Sequence, residues 1–171
     1  MDEKKESDGR TKAERKSERE LVVTRTFDAP ARIVFEAWTK PELFKRWWVP
    51  KSMDTFMSLL TCEMDVRPGG KYRFVFGMDG KVMMEVFGKY IEVTPHSRLV
   101  WTNEEGDEGG AVTTLTFEEK GGQTLLVKHD LYPSKEALDG ELASGATEGM
   151  PEQLEQLDEL LLTLGASVGQ S

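Results

Sequence analysis

The spacing of apolar positions changes along the chain, and each spacing predicts a different element. From Leu21 to Phe27 the run LVVTRTF is β-branched and aromatic, the composition of a strand. It stops at Asp28-Ala29-Pro30, where Asp28 stands in position to cap a helix. Ile33, Val34, Ala37 and Trp38 then recur at helical spacing until Thr39-Lys40-Pro41 interrupts them. A second short turn runs from Glu42 to Trp48, ahead of Pro50. The pattern predicts a strand followed by two short helices.

The middle of the chain alternates instead. CEMDVRPGG, KYRFVFG, KVMMEVFGKYIEV, RLVWTNE, AVTTLTFEE and TLLVKHDLY are short apolar or alternating runs. Pro68-Gly69-Gly70, Asp79-Gly80, Thr94-Pro95 and Gly121-Gly122 mark the corners between them. None of the gaps holds a crossover helix, which excludes a parallel sheet and predicts an antiparallel meander. With the first strand, this makes about seven strands.

The last third returns to helical spacing. Met150, Leu154, Leu157, Leu161 and Leu164 lie three or four apart in a Glu- and Gln-rich segment, with Pro151 in the first turn and Gly165 where a C-terminal cap belongs. An alternating sheet has one apolar face to cover, and this amphipathic helix is the available cover. The expected architecture is therefore α+β: a curved antiparallel sheet wrapped around a long C-terminal helix. Residues 1–20 mix both charge signs with almost no apolar side chains and read as a disordered tail, with a solvated helix over Lys12 to Glu20 as the other reading. The domain spans residues 21–165, and residues 166–171 form a second tail. Gly140 to Gly149 reads as a mobile loop or a loosened helical turn.

Composition narrows the partners. Of 171 residues, 38% are hydrophobic and 31% charged, which is enough apolar material for one core. A net charge of -9 repels polyphosphate, so nucleic acid and anionic membrane surfaces are excluded as first choices. No run is long enough to cross a bilayer, and the charged N-terminus lacks the apolar stretch of a secretory signal. Cys62 stands alone, which rules out an internal disulfide framework and fits a reducing compartment. The expected location is the cytoplasm. A homodimer is compatible with the sequence.

Several quoted segments carry a resemblance. Phe27-Asp28-Ala29-Pro30, Ala37-Trp38-Thr39, Trp47-Trp48, the turn from Asp65 to Gly70 and Leu99-Val100-Trp101-Thr102 follow one another as in the domain named after the activator of Hsp90 ATPase. That domain lies within the START-like or Bet v 1-like superfamily of helix-grip folds, and the resemblance covers roughly Leu21 to Leu164. It implies a cavity bounded by sheet, C-terminal helix and small helices. Superfamily relatives bind lipids, hormones or polyketides, and some act as cyclases. Eukaryotic namesakes bind the Hsp90 chaperone, but with a separate N-terminal domain not seen in these 171 residues.

The aromatic and methionine content suits such a cavity. Trp38, Trp47, Trp48, Phe74, Phe76, Met83, Met84 and Trp101 are candidates for its lining, with ordinary core packing as the competing reading for each. Parity places Tyr72, Phe74 and Phe76 on one strand face, and Thr113, Leu115 and Phe117 on another, as the concave side. On the last strand His129 shares parity with Leu125, Val127 and Leu131, so it points with the aliphatic residues as a ligand-orienting group or general base, or as a satisfied core histidine. Glu85 either faces inward and pairs with Arg73 or Arg98, or faces outward with Met83 and Phe87. Asp65 and Arg67 are expected to hold their hairpin through side-chain to backbone bonds. Glu104, Glu105, Asp107 and Glu108 lack an EF-hand ligand order and read as a solvated hairpin tip. His96 and His129 are not spaced for a metal.

The candidate ligand-binding set is Trp38, Trp47, Phe74, Phe76, Met84, Trp101, Leu115, Phe117, His129, Leu154 and Leu157. No cofactor, metal or catalytic set is expected. The primary reading is non-enzymatic binding of a small lipid-like or polyketide-like molecule. An Hsp90-type chaperone as partner is one alternative. A cyclase- or hydrolase-like enzyme using His129, Glu85, Arg73 and Arg98 is the other.

Overall fold

The computed structural model describes residues 11–53, 55, 57–104, 110–144 and 150–169. The alternating runs form strands because side chains of one parity face the interior. β4 (Lys71–Met78) buries Tyr72, Phe74 and Phe76, and β7 (Val112–Lys120) buries Thr113, Leu115 and Phe117, the two faces expected to be concave. With β1 (Lys12–Arg15), β2 (Glu20–Phe27), β3 (Ser58–Met64), β5 (Lys81–Thr94), β6 (Arg98–Thr102) and β8 (Gln123–Leu131) they make one antiparallel sheet of eight strands in the order β1-β2-β8-β7-β6-β5-β4-β3. Register shifts at Leu59/Thr61, Phe76/Gly77 and Tyr90/Glu92 interrupt the pairing in the β3 to β6 half, where bulges bend and twist a sheet.

Two short helices, α1 (Ala31–Thr39) and α2 (Pro41–Phe44), follow β2 as expected, and a single 3-10 turn runs over Lys51–Met53. α3 (Lys135–Ser144) and α4 (Met150–Gly169) follow β8. α4 lies against α1 and β2 and buries Leu154, Leu157, Leu160 and Leu161, with Met150 and Leu164 partly buried beside them. The architecture is the α+β helix-grip arrangement. Full burial of each leucine contributes about 1.5–3 kcal/mol, so this stripe is a main support of the core.

Five expectations change. Lys12–Arg15 is neither tail nor helix but an eighth strand, with all four side chains exposed and its backbone paired to Leu21–Thr24. A strand held on a sheet edge by main-chain bonds needs no apolar residues, so its composition resembles a tail. The first ten residues lie outside the described residues. Asp28 does not cap α1: Pro30 is the capping residue, Asp28 accepts a hydrogen bond from Gln123, and Glu119 accepts the Ala31 N–H at 2.9 Å. The loop expected from Gly140 begins inside α3, whose Ser134 Oγ accepts the Ala137 N–H at 3.0 Å; residues 145–149 lie outside the described residues. Gly165 does not end α4, which runs on to Gly169 through most of the expected C-terminal tail. The Asp65 and Arg67 side chains bond each other at 2.9 Å rather than the backbone.

That turn is held by main-chain bonds instead. Gly69 N–H donates to Tyr90 O and Tyr90 N–H to Gly70 O, each at 2.8 Å, tying the turn to β5. A Cβ on Gly70 would lie 2.0 Å from Asp65 O, so the close approach requires glycine. Glu104 is exposed, and Glu105 to Glu108 of the acidic tip lie outside the described residues.

Candidate functional site

A cavity of about 810 Å³ opens between the concave sheet face, α4 and the segment after α2, within the range of small-molecule sites. One end is aromatic. Trp38 from α1, Phe44 from α2, Trp48 after it, and Phe74 and Phe76 from β4 line it. Phe44 stacks on Trp48 with centroids 4.7 Å apart and on Phe74 at 4.9 Å, and Trp38 meets Trp47 edge-on at 4.7 Å. Such pairs add about 0.5–1.5 kcal/mol each beyond their burial, so this wall is ordered by ring packing. Met53, Met57, Met64, Met84 and Met150 complete it with flexible side chains that adapt to irregular shapes.

The other end is polar. Asn103, Thr113, Lys128, Asp130, Tyr132 and Glu141 line it, with α3 packing over the sheet through Leu138 against Leu21, Ala111 and Tyr132. Asp130 is 3% exposed and accepts from Thr113 Oγ1 at 2.5 Å and from Lys128 Nζ at 2.7 Å. Asn103 Nδ2 donates to Thr113 Oγ1 at 3.0 Å and to Ala111 O at 2.7 Å, and the Tyr72 hydroxyl donates to Thr102 O at 2.7 Å. The carboxylate and ammonium satisfy one another inside the wall, which is what allows charges there. Burial, with Asp130 and Glu141 close by, pushes the Tyr132 phenol well above its ordinary value, so it stays a neutral donor.

β8 therefore presents the opposite face from the one expected. Thr124, Leu126 and Asp130 are buried and Lys128 is partly buried, whereas Leu125 and Leu131 are exposed. His129 goes outward with Leu125 and Leu131. There its Nε2 meets Glu20 Oε2 of β2 at 2.8 Å, a contact that lowers the Glu20 carboxyl from its ordinary value. The aliphatic residues misled the parity argument because the inward charges are mutually paired. β2 repeats the pattern: Arg25 is buried, donating to Thr11 at 2.8 Å and reaching Asp158 of α4 at 3.5 Å. Glu85 takes the outward reading, with Met83 and Phe87, and pairs there with Arg73; Arg98 pairs with Glu92 instead.

The segment that closes the aromatic end is clamped to α4 by side chains. Gln156 Nε2 donates to Trp47 O and Val49 O, both at 3.0 Å, while its Oε1 accepts Lys51 N–H at 2.7 Å. Gln153 donates to Trp48 O, and Glu152 accepts from Ser52 N and Oγ. The glutamines of the C-terminal helix thus position the cavity wall. Their polar spacing on the helix was the available signal.

Of the expected site residues, Trp38, Phe74, Phe76, Met84 and Trp101 come together on the cavity wall. Trp47, Leu115, Phe117, Leu154 and Leu157 pack behind it as core, and His129 is on the outer face. Trp38 and Trp47 differ sharply. The Trp47 Nε1–H donates to Ala37 O at 3.0 Å, whereas the Trp38 Nε1–H is buried without a hydrogen-bond partner. A buried donor left unpaired costs about 1–3 kcal/mol.

Among the described residues, those lining the cavity include no His, Cys or Ser, and no three His, Cys, Asp or Glu side chains gather as a metal site. No helix among them is long and apolar enough to cross a membrane. What the arrangement can do is enclose an apolar body and meet a polar group on it.

Comparison with known proteins agrees with this geometry. A family model described as activator of Hsp90 ATPase homolog 1-like protein matches residues 28–162, more than half of the chain. No curated protein matches. Among solved structures, a protein of Rhodobacter sphaeroides superposes with a TM-score of 0.80 at 25% identity, over 90% of this chain and 99% of that one. A protein of Nitrosomonas europaea gives 0.76 at 26% identity, over 88% and 98%. A solution structure from Staphylococcus epidermidis gives 0.71 at 27% identity, over 86% and 92%. Coverage this high on both sides means that the likeness is of the whole domain rather than of a motif.

Proposed function

The chain belongs to the activator of Hsp90 ATPase homolog 1-like family, and from that premise and the cavity we propose that it binds a small, largely apolar molecule without transforming it. The carrying observation is the two-ended lining: a ring-packed, methionine-edged wall facing a mutually paired polar cluster. Such a site takes up a lipid-like or polyketide-like molecule, the apolar body among the rings and a polar group toward Asp130 and Lys128. Among the described residues the lining holds no His, Cys or Ser, and its Asp130 carboxylate is already bonded to Lys128 and Thr113, which supports binding rather than turnover. The unit that carries the site runs from β1 through α4, residues 12 to 169.

Nile red, an uncharged apolar dye, tests the reading. Wild-type protein should bind it saturably with a rise in fluorescence, and Met150→Trp, which places a larger side chain at the partly buried Met150 position on the cavity wall, should weaken binding about tenfold or more. Unchanged fluorescence, or equal binding by the filled variant, would sink the proposal.

A further inference from the structure

Among the described residues, Trp38 Nε1 is the buried side-chain donor without a hydrogen-bond partner that belongs to a residue lining the cavity. Trp38 is 3% exposed. The rings packed around it are those of Trp47, Phe44, Trp48 and Trp101, at 4.7–6.3 Å between centroids. None of them carries an oxygen acceptor. At the polar end Lys128 and Thr113 donate to Asp130, Asn103 to Ala111 and Thr113, and Tyr72 to Thr102. Trp38 lines the cavity, so an oxygen carried by an occupant is one source of the missing acceptor.

We propose that the Trp38 indole N–H is the specificity-determining donor of the site, and that the natural ligand is an apolar molecule carrying a carbonyl or ether oxygen rather than a plain hydrocarbon. The inference rests on the reading of the cavity as a ligand site. Its chemistry is asymmetric: a hydrocarbon leaves the buried donor unpaired, whereas a ketone of the same shape satisfies it, so one oxygen decides affinity. Trp47, in the same cluster but already bonded to Ala37 O, serves as an internal reference.

Benzophenone and diphenylmethane, a ketone and the hydrocarbon of similar shape, test it on the full chain. Their affinities are measured for wild type and Trp38→Phe, while proton–nitrogen NMR follows the indole N–H signals. The ratio of ketone to hydrocarbon affinity should fall about tenfold in Trp38→Phe. In wild type, benzophenone should move the Trp38 indole proton downfield, leave that of Trp47 in place, and diphenylmethane should move neither downfield. If both probes bind but the ratio is unchanged and the Trp38 signal does not move downfield, this inference falls and the cavity reading stands. If neither probe binds, the cavity reading falls and takes the inference with it. Should Trp38→Phe fold poorly, the wild-type spectra decide alone, since ring neighbours distinguish the indoles.

Discussion

At one end of the cavity, rings from α1, α2 and β4 lie stacked or edge-on within about 5 Å of one another. At the other, a lysine, an aspartate and a threonine from β7 and β8 hold each other by bonds of 2.5–2.7 Å. The first wall derives its order from volume and the second from pairing, and the two fail differently. Removing volume leaves a void whose cost grows with its size, whereas removing one polar partner strands the other.

The largest effect is expected at the aromatic end. Phe44 is 2% exposed and stacks on both Trp48 and Phe74, so Phe44→Ala should lower stability by about 3–5 kcal/mol in denaturant melts. At the polar end, Asp130→Asn keeps the volume but removes the charge facing Lys128, and should lower stability by about 1–3 kcal/mol. The double variant Asp130→Asn, Lys128→Met should recover part of that loss, because the remaining cation is gone. No recovery would show that the pair is not what orders this wall.

The two tryptophans sharpen the contrast within one cluster. Trp47→Phe strands Ala37 O, while Trp38→Phe removes a donor that had no partner. Trp47→Phe should therefore be the more destabilising by about 1–3 kcal/mol in ligand-free protein. Equal losses would mean that the Trp38 N–H is satisfied in some other way.

How far the sequence revealed each end follows from the same physics. β4, β7, α1 and the α4 stripe could be read because apolar residues repeat at the period of their element; that rule gives the inward face of Trp38, Phe74 and Phe76, while the expectation of a cavity beside them came from the family resemblance. β8 defeated it. Exposed Leu125 and Leu131 alternate with Lys128 and Asp130, whose mutual pairing lets charge face inward, so His129 was assigned to the wrong face. α3 carries little helical pattern because, over residues 135–143, only Ala137, Leu138 and Leu142 are apolar side chains packed into the structure. Neither β1 nor the glutamine clamp on Trp47, Trp48 and Val49 depends on apolar pattern, so the pattern could not report them.

The smallest effect concerns how the polar end is covered. Lys135, and then Arg15 of β1, hold the Asp139 carboxyl of α3 below its ordinary value, with the Arg15 contact at 2.7 Å. A folded-state value below the unfolded one contributes stability above the ordinary aspartate value of about 3.9, and loses it as pH falls through the folded value. Hydrogen-exchange protection of α3 should therefore fall relative to α4 on acidification below about pH 4, and Asp139→Asn should abolish the difference. Parallel loss in both helices would contradict the assignment of this contact.

The claim that an apolar molecule occupies the cavity is tested most directly by methionine methyl NMR during a Nile red titration. Met53, Met57, Met64, Met84 and Met150 line the cavity, whereas Met83, on the other face of β5, is 58% exposed. The five lining methyls should shift together along one binding curve while Met83 stays in place. A titration that moves Met83 and leaves the five unchanged would place the dye on the outer face and contradict the account.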